Sequence, residues 1–219
     1  MHVPDAFMSP EVNAAALAIS MAACGAAFIR GGKDDGRLAP LMGVTSAFVF
    51  AGQMINFPVA PGASGHFLGA AFATLLLGPS KALIAMSVTL VMQLLLFADG
   101  GVTAIGTNIF NMGVAACGTA YASSALLIKL LPSSGRWTPF IAALSAWMSV
   151  TVSSAALAVE LALSGTSPIG SAFPAIVGAH AVIGVGEALL TASALSVILA
   201  ARPDIVRGMA GRSAVVVEA

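Results

Sequence analysis

The chain has 219 residues, 58% of them hydrophobic and 8% charged, with nine basic and nine acidic residues in balance. Soluble globular domains carry about 25% charged residues, so a soluble domain is excluded and a polytopic membrane protein is implied. No basic or basic-aromatic cluster suggests nucleic acid, and no Gly-x-x-x-x-Gly-Lys-Ser/Thr loop offers ATP hydrolysis by that route.

The chain opens Met1-His2-Val3-Pro4-Asp5, ahead of any apolar span. A histidine in second place makes the N-terminus a chelator. The terminal amine of Met1, the backbone nitrogen of His2 and the His2 imidazole can close two fused rings on one ion. Met1 is expected to be kept, because aminopeptidases remove it mainly before small residues. The dipeptide alone also reads as an ordinary start with no role. A signal peptide is not expected, since no Lys or Arg precedes the long first apolar run.

Uncharged stretches then follow at 12–29, 38–57, 67–78, 82–98, 109–128, 137–159 and 173–201. A span takes roughly 20 apolar residues, and most of these reach or approach that length. The stretch 67–78 is short, and Pro79-Ser80-Lys81 is expected to form a tight turn between it and the next. It reads as a short helix, partly re-entrant, which is tolerated only where protein encloses it. The reading is all-α, a polytopic membrane protein with seven transmembrane helices, six being the alternative.

The basic residues set the orientation. With seven spans, Arg30, Lys33, Arg37, Lys81, Lys129, Arg136, Arg202, Arg207 and Arg212 all fall on one side, which is then cytoplasmic. The N-terminus is outside and the C-terminus inside. Residues 1–207 form a single transmembrane metal-binding domain, and 208–219 a cytoplasmic tail. The localisation is the cell (inner) membrane, multi-pass. Met1, His2, Asp5, His66 and Asp99 share the external side, where His66 can supply the chelate's fourth in-plane donor. Four nitrogens in a plane suit Ni(II) or Cu(II).

Other residues carry weaker signals. Cys24 and Cys117 lie in apolar runs and read as small hydrophobes. Asn56, Asn108 and Asn111 border spans; they cap or brace backbone, or hold external loops over a site. Glu160 reads as solvated or capping at a membrane boundary. His180 and Glu187 stand seven apart on one helix face and are costly inside a membrane. They read as interhelical hydrogen-bonding groups or as parts of a gate. Small residues recur every fourth position at Ala14, Ala18, Ala22 and Ala26, and at Ala39, Gly43, Ala47 and Ala51. Each ladder admits a close helix, internal or from a partner protein.

Four segments resemble one family in order along the chain. They are Met1-His2-Val3-Pro4-Asp5-Ala6-Phe7; Gln53-Met54-Ile55-Asn56-Phe57-Pro58-Val59 with Ser64-Gly65-His66; Asp99-Gly100-Gly101 through Thr107-Asn108-Ile109-Phe110-Asn111-Met112-Gly113; and Gly178-Ala179-His180 through Gly184-Val185-Gly186-Glu187. They resemble the substrate-binding subunits of cobalt and nickel energy-coupling-factor transporters, the CbiM/NikM family. The resemblance implies a six-helix core plus an added N-terminal helix. It implies a metal held by the Met1 amine, the His2 nitrogens and His66. It also implies partners: a transmembrane coupling subunit, a pair of cytoplasmic ATPases and a small additional membrane subunit. Ala6 stands where the family has Gly, and Ala is disfavoured there if positive φ is needed. Pro4-Asp5 looks more like the nickel branch, so Ni(II) is expected as the transported substrate, with Co(II) as the alternative. The function expected is capture of that ion by a subunit that is not itself an enzyme. A secondary carrier needing no ATPase is the competing transporter reading. A metal-dependent intramembrane enzyme lacks a carboxylate near His66 in sequence to serve as base.

Overall fold

The structure is a computed structural model, and it describes residues 1–31, 38–55, 57–60, 63–132 and 134–206. Lys33, Arg37, Asn56, Arg207, Arg212 and the tail 208–219 therefore lie outside the described residues. The fold is helical apart from one hairpin. The helices are α1 (Pro10–Gly31), α2 (Ala39–Gln53), α3 (Ala70–Leu77), α4 (Pro79–Phe97), α5 (Ile105–Ile109), α6 (Ala116–Leu130), α7 (Thr138–Leu163) and α8 (Ile169–Ala201). Strands β1 (Phe57–Ala60) and β2 (Ala63–Gly65) pair antiparallel, with a bulge between Pro58 and Ala60. A π-helical segment, Phe110–Ala115, joins α5 to α6, so 105–130 runs as one rod.

Five helical stretches are long and apolar enough to cross a membrane: Pro10–Gly31, Pro79–Phe97, Ile105–Leu130, Gly135–Leu163 and Ile169–Ala201. Helix α2 has 15 residues and α3 only 8, about 12 Å for the latter at 1.5 Å per residue. All eight residues of α3 are buried, which is the enclosure that a short helix at membrane depth requires. The expected turn at Pro79-Ser80-Lys81 is instead the first turn of α4, and Gly78 alone makes the connection. Gly78 takes φ +83°, and Pro79 sits at the helix start, where its missing N–H costs nothing.

Two core clusters stack along the bundle. One joins Met1, Val3 and Met8 to Val49, Leu68, Leu90, Met112, Leu157 and Ile176. The other joins Leu75, Leu77, Ile141, Leu195, Leu199 and Val206 near the opposite end. Helix α7 is central: Ser149 donates to the Ala116 carbonyl at 2.9 Å, and Ser153 donates to the Asn111 carbonyl. The wider π turn leaves carbonyls without their usual α-helical partners, and the Ser153 hydroxyl satisfies one. Against α8, the Trp147 indole donates to the Ala181 carbonyl at 3.0 Å, with its ring over Gly184. Helix α1 is peripheral: Ala14, Ala18, Ala22 and Ala26 are all exposed. So are Ala39, Gly43, Ala47 and Ala51 of α2.

Glu160 differs from the sequence reading. It is buried, not solvated, and it accepts a hydrogen bond from Asn111 Nδ2 at 2.5 Å. Sequence hydropathy marks where a span ends but not which neighbour encloses its last turn. The cysteines are both free thiols, as expected.

Candidate metal centre

The first nine residues are a strap across one end of the bundle. Ser9 ends it: its Oγ accepts from Val12 N at 3.3 Å, and Pro10 follows at the first helical position. Along the strap Val3, Asp5 and Phe7 are held from α5, from the loop before it and from the loop before α8. Val3 N donates to Asn108 Oδ1 at 2.8 Å, and Asn108 Nδ2 donates back to Val3 O at 3.1 Å. Val3 O also accepts from Gly101 N at 2.8 Å. Asp5 Oδ1 accepts from both the amide and the hydroxyl of Thr103, at 2.7 and 2.6 Å. Thr166 Oγ1 donates to Phe7 O. Those two Thr103 bonds hold Asp5 below the usual carboxylate range.

Gly100 and Gly101 must be glycine to admit the strap. A Cβ on Gly101 would lie 2.4 Å from Asp5 N and 2.7 Å from the Pro4 carbonyl carbon. Gly100 takes φ +94°, and a Cβ there would press Asn108 Nδ2 at 2.8 Å. Ala6 takes φ +69°, the left-handed region, so the strap follows its path in spite of the alanine.

The strap carries its first two residues inward. Met1 is 1% exposed, His2 4% and His66 2%. His66 leaves the β1–β2 hairpin just before α3. Its ring centroid is 4.8 Å from that of His2, with the planes tilted by 43°. His66 Nδ1 lies 2.7 Å from Phe67 O. A carbonyl only accepts, so Nδ1 carries the proton and Nε2 keeps its lone pair. Both Nε2 atoms, of His2 and of His66, are buried with no hydrogen-bond partner among the described residues. His2 Nδ1 faces Asp99, 3.8 Å from Oδ1.

Burial sets the electrostatics. The terminal amine is pushed well below its ordinary value of 8.0 by desolvation, with Asp99 pulling the other way. Desolvation first, then the charge of that amine, lowers His2 to about 3. The same two causes, with His2 and His180 adding to them, hold His66 well below 6.5. Burial thus disfavours the protonated form of all three nitrogens, which is donor chemistry for a borderline cation. Among the described residues, no three His, Cys, Asp or Glu side chains gather as a conventional metal cluster. A site here must draw on main-chain and terminal nitrogens as well as imidazoles.

Of the residues singled out from sequence, the fold brings together Met1, His2, His66 and Asp99. His180 lies deeper, fully buried, with Nδ1 2.8 Å from its own helix's Ile176 O. Glu187 reaches the loop after His66, accepting from Leu68 N and Gly69 N. Asn108 holds the strap, as one reading of it anticipated, while Asn111 turns inward to Glu160. Thr103 and Thr166 escaped sequence reasoning; a lone threonine in a loop gives no signal of what it binds.

Residues 2–205 match the family model described as cobalt uptake substrate-specific transmembrane region, CbiM. A protein of Haloquadratum walsbyi named for metal transport is 35% identical over 209 residues, covering 94% of this chain and 93% of that one. A protein of Archaeoglobus fulgidus named as a fused nickel transport protein, NikMN, is 33% identical over 208 residues, covering 94% of this chain and 68% of that one. A crystal structure of a truncated transition metal transporter superposes with TM-score 0.84 at 29% identity, covering 92% of this chain and 99% of that one.

Proposed function

The chain belongs to the cobalt-uptake, substrate-specific transmembrane family, and on that footing we propose that it is the ion-capturing subunit of an ATP-driven energy-coupling-factor importer. The ion is Ni(II), with Co(II) as the alternative, taken at the external face. Its donors are the Met1 amine, the His2 backbone nitrogen, the His2 imidazole and His66. One observation carries the reading: the first two residues are buried with the His2 ring 4.8 Å from that of His66, whose Nε2 keeps its lone pair buried and without a partner among the described residues.

Only Nδ1 of His2 can close a six-membered ring with its own backbone nitrogen. That atom is the one turned toward Asp99, so the ion must displace this contact. His66 needs no such change, since its Nε2 already holds a lone pair. The His2 amide must also lose its proton, which a planar nitrogen field around Ni(II) favours. The nickel name of the Archaeoglobus relative and the Pro4-Asp5 pair lean toward nickel, and the family description leans toward cobalt.

The architecture is seven spans, with the N-terminus outside. Arg30, Lys81, Lys129, Arg136 and Arg202 are the described basic residues, and by the chain's alternation they fall at the end opposite the site. Partners are a transmembrane coupling subunit, a cytoplasmic ATPase pair and a small additional membrane subunit. The last is supported by the fused NikMN relative, of which this chain spans 68%.

The deciding experiment measures nickel bound by purified protein with an unextended N-terminus. His2→Ala, His66→Ala and a variant with one residue inserted after Met1 are measured beside it. Each change is expected to abolish high-affinity binding, while a C-terminal tag leaves it intact. Near-normal binding by both alanine variants removes the site. Binding by the extended protein removes the terminal amine from it.

A further inference from the structure

A carboxylate within a membrane span is costly unless it is held. Glu187, 2% exposed in α8, is held by two backbone amides. Oε2 accepts from Leu68 N and Oε1 from Gly69 N, both at 2.7 Å. Gln53 of α2 reaches the same spot, its Nε2 donating to Leu68 O at 2.6 Å. The backbone between His66 and α3 is therefore pinned from α8 and α2 together.

The peptide group joining Phe67 to Leu68 has a special place in this arrangement. Its N–H points at Glu187 Oε2, and its carbonyl oxygen is the one facing His66 Nδ1. The group is planar and trans, so its N–H and C=O point in opposite directions and turn as one body. Fixing the N–H fixes the C=O, and the C=O fixes both the ring of His66 and which of its nitrogens carries the proton. Hydrogen bonds in series also polarise one another. By accepting the Leu68 N–H, Glu187 strengthens the Phe67 carbonyl of the same peptide group as an acceptor and so makes Nε2 a better electron-pair donor. In metal proteins a carboxylate often acts directly on a ligating histidine in this way.

We propose that Glu187 is a positioning residue for His66, acting through the Phe67–Leu68 peptide group to aim and enrich the Nε2 lone pair that binds the ion. The assignment rests on His66 being a ligand. It gives a role to an intramembrane carboxylate that lies far from His66 in sequence. It also ties the captured ion mechanically to α8, the longest helix of the fold at 33 residues.

The test uses the full chain with its natural N-terminus in detergent or nanodiscs. Nickel dissociation constants are measured for the wild type, Glu187→Gln, Glu187→Ala, His66→Ala and Trp147→Phe. The last removes an α7–α8 hydrogen bond away from the loop and serves as a control for general loosening. Nitrogen NMR of the side chains reports the His66 tautomer in each metal-free protein. Glu187→Gln is nearly isosteric and keeps one acceptor oxygen, so it is expected to fold. It should lose about 10- to 100-fold in nickel affinity, the usual scale for a ligand's supporting partner. It should also show a mixture of His66 tautomers, while Trp147→Phe keeps both affinity and the single Nδ1–H form. Unchanged affinity and tautomer in Glu187→Gln, with binding lost in His66→Ala, would overturn the positioning role alone. An Nε2–H tautomer in the wild type would overturn it without any variant. Normal binding by His66→Ala would instead overturn the site reading on which the assignment rests.

Discussion

His2 and His66 present their imidazoles to one another at 4.8 Å, centroid to centroid, and each leaves its Nε2 buried and unpartnered among the described residues. Buried polar atoms in folded proteins are nearly always satisfied. His66 Nε2 already holds a lone pair toward the His2 ring, whereas His2 offers its Nδ1 only once that atom leaves Asp99.

Asn108 pairs with both polar groups of Val3, as one strand pairs with another. Asn108→Leu leaves a buried N–H and weakens the hold on a carbonyl, which costs about 1–3 kcal/mol. The strap should loosen, and nickel affinity should drop with it. Thermal unfolding and nickel titration of the same sample check this. A variant with lowered melting temperature and unchanged affinity would separate the strap from the site.

Ala6 sits at φ +69°, a conformation that costs an L-residue roughly 1–2 kcal/mol. Ala6→Gly removes that strain, against a somewhat larger loss of unfolded-chain entropy for glycine. The net expected effect is a gain of about 1 kcal/mol or less, seen as a higher melting temperature with metal binding preserved. Ala6→Val, which is β-branched, should lower it.

The buried bases make the metal-free protein acid-sensitive. Their ordinary values are 8.0 for the amine and 6.5 for the imidazoles, and the fold lowers all three, His2 to about 3. Where folded values lie below unfolded ones, the unfolded chain binds more protons, so stability rises with pH. Stability should therefore be full above about pH 8, fall as pH drops through 8 and then 6.5, and keep falling toward pH 3. Nickel affinity should also fall with acid, by about tenfold per pH unit for the one amide proton released on binding. Denaturation and competition titrations at pH 6, 7 and 8 measure both slopes, and a flat affinity profile would argue against ligation by the His2 amide.

Gly43 and Ala47 belong to an exposed stripe on α2, and a Cβ built on Gly43 meets nothing within 4 Å. A leucine there is tolerated by the isolated chain but prevents another helix from approaching closely. Gly43→Leu and Ala47→Leu should keep nickel binding and lose ATP-dependent uptake and co-purification with the coupling subunit. Full assembly in both would shift the interface toward the Ala14, Ala18, Ala22 and Ala26 stripe.

Much of the architecture was legible because lipid imposes a simple rule: long apolar runs must be helices. The runs at 12–29, 137–159 and 173–201 correspond to α1, α7 and α8, and only their ends moved. Helix α8 begins at Ile169 and carries Pro174 within its early turns. The β1–β2 hairpin was not legible, because Phe57-Pro58-Val59-Ala60 continues an apolar run and its pairing depends on the chain beyond. Glu160 was misplaced for a related reason: whether a boundary carboxylate meets water or Asn111 is decided by the neighbouring π segment. Met1 and His2 could be singled out because an N-terminal chelate depends on position in the chain, and His66 because the basic residues set it on the same side; their ligation of an ion is what the binding experiment above tests. Asn108 and Glu187 act through backbone groups of distant residues, and such a contact leaves no trace in local spacing.

The strap's contacts also set an order of events. Val3 meets Asn108 across 105 positions, and Phe7 meets Thr166 across 159. Until the loop before α8 has left the ribosome, the Phe7 end of the strap lacks its Thr166 contact, and contacts of such long sequence separation form late and slowly. The strap is therefore fastened from its Val3 end first, and its Phe7 end is fixed only when the chain leading into the last helix is in place.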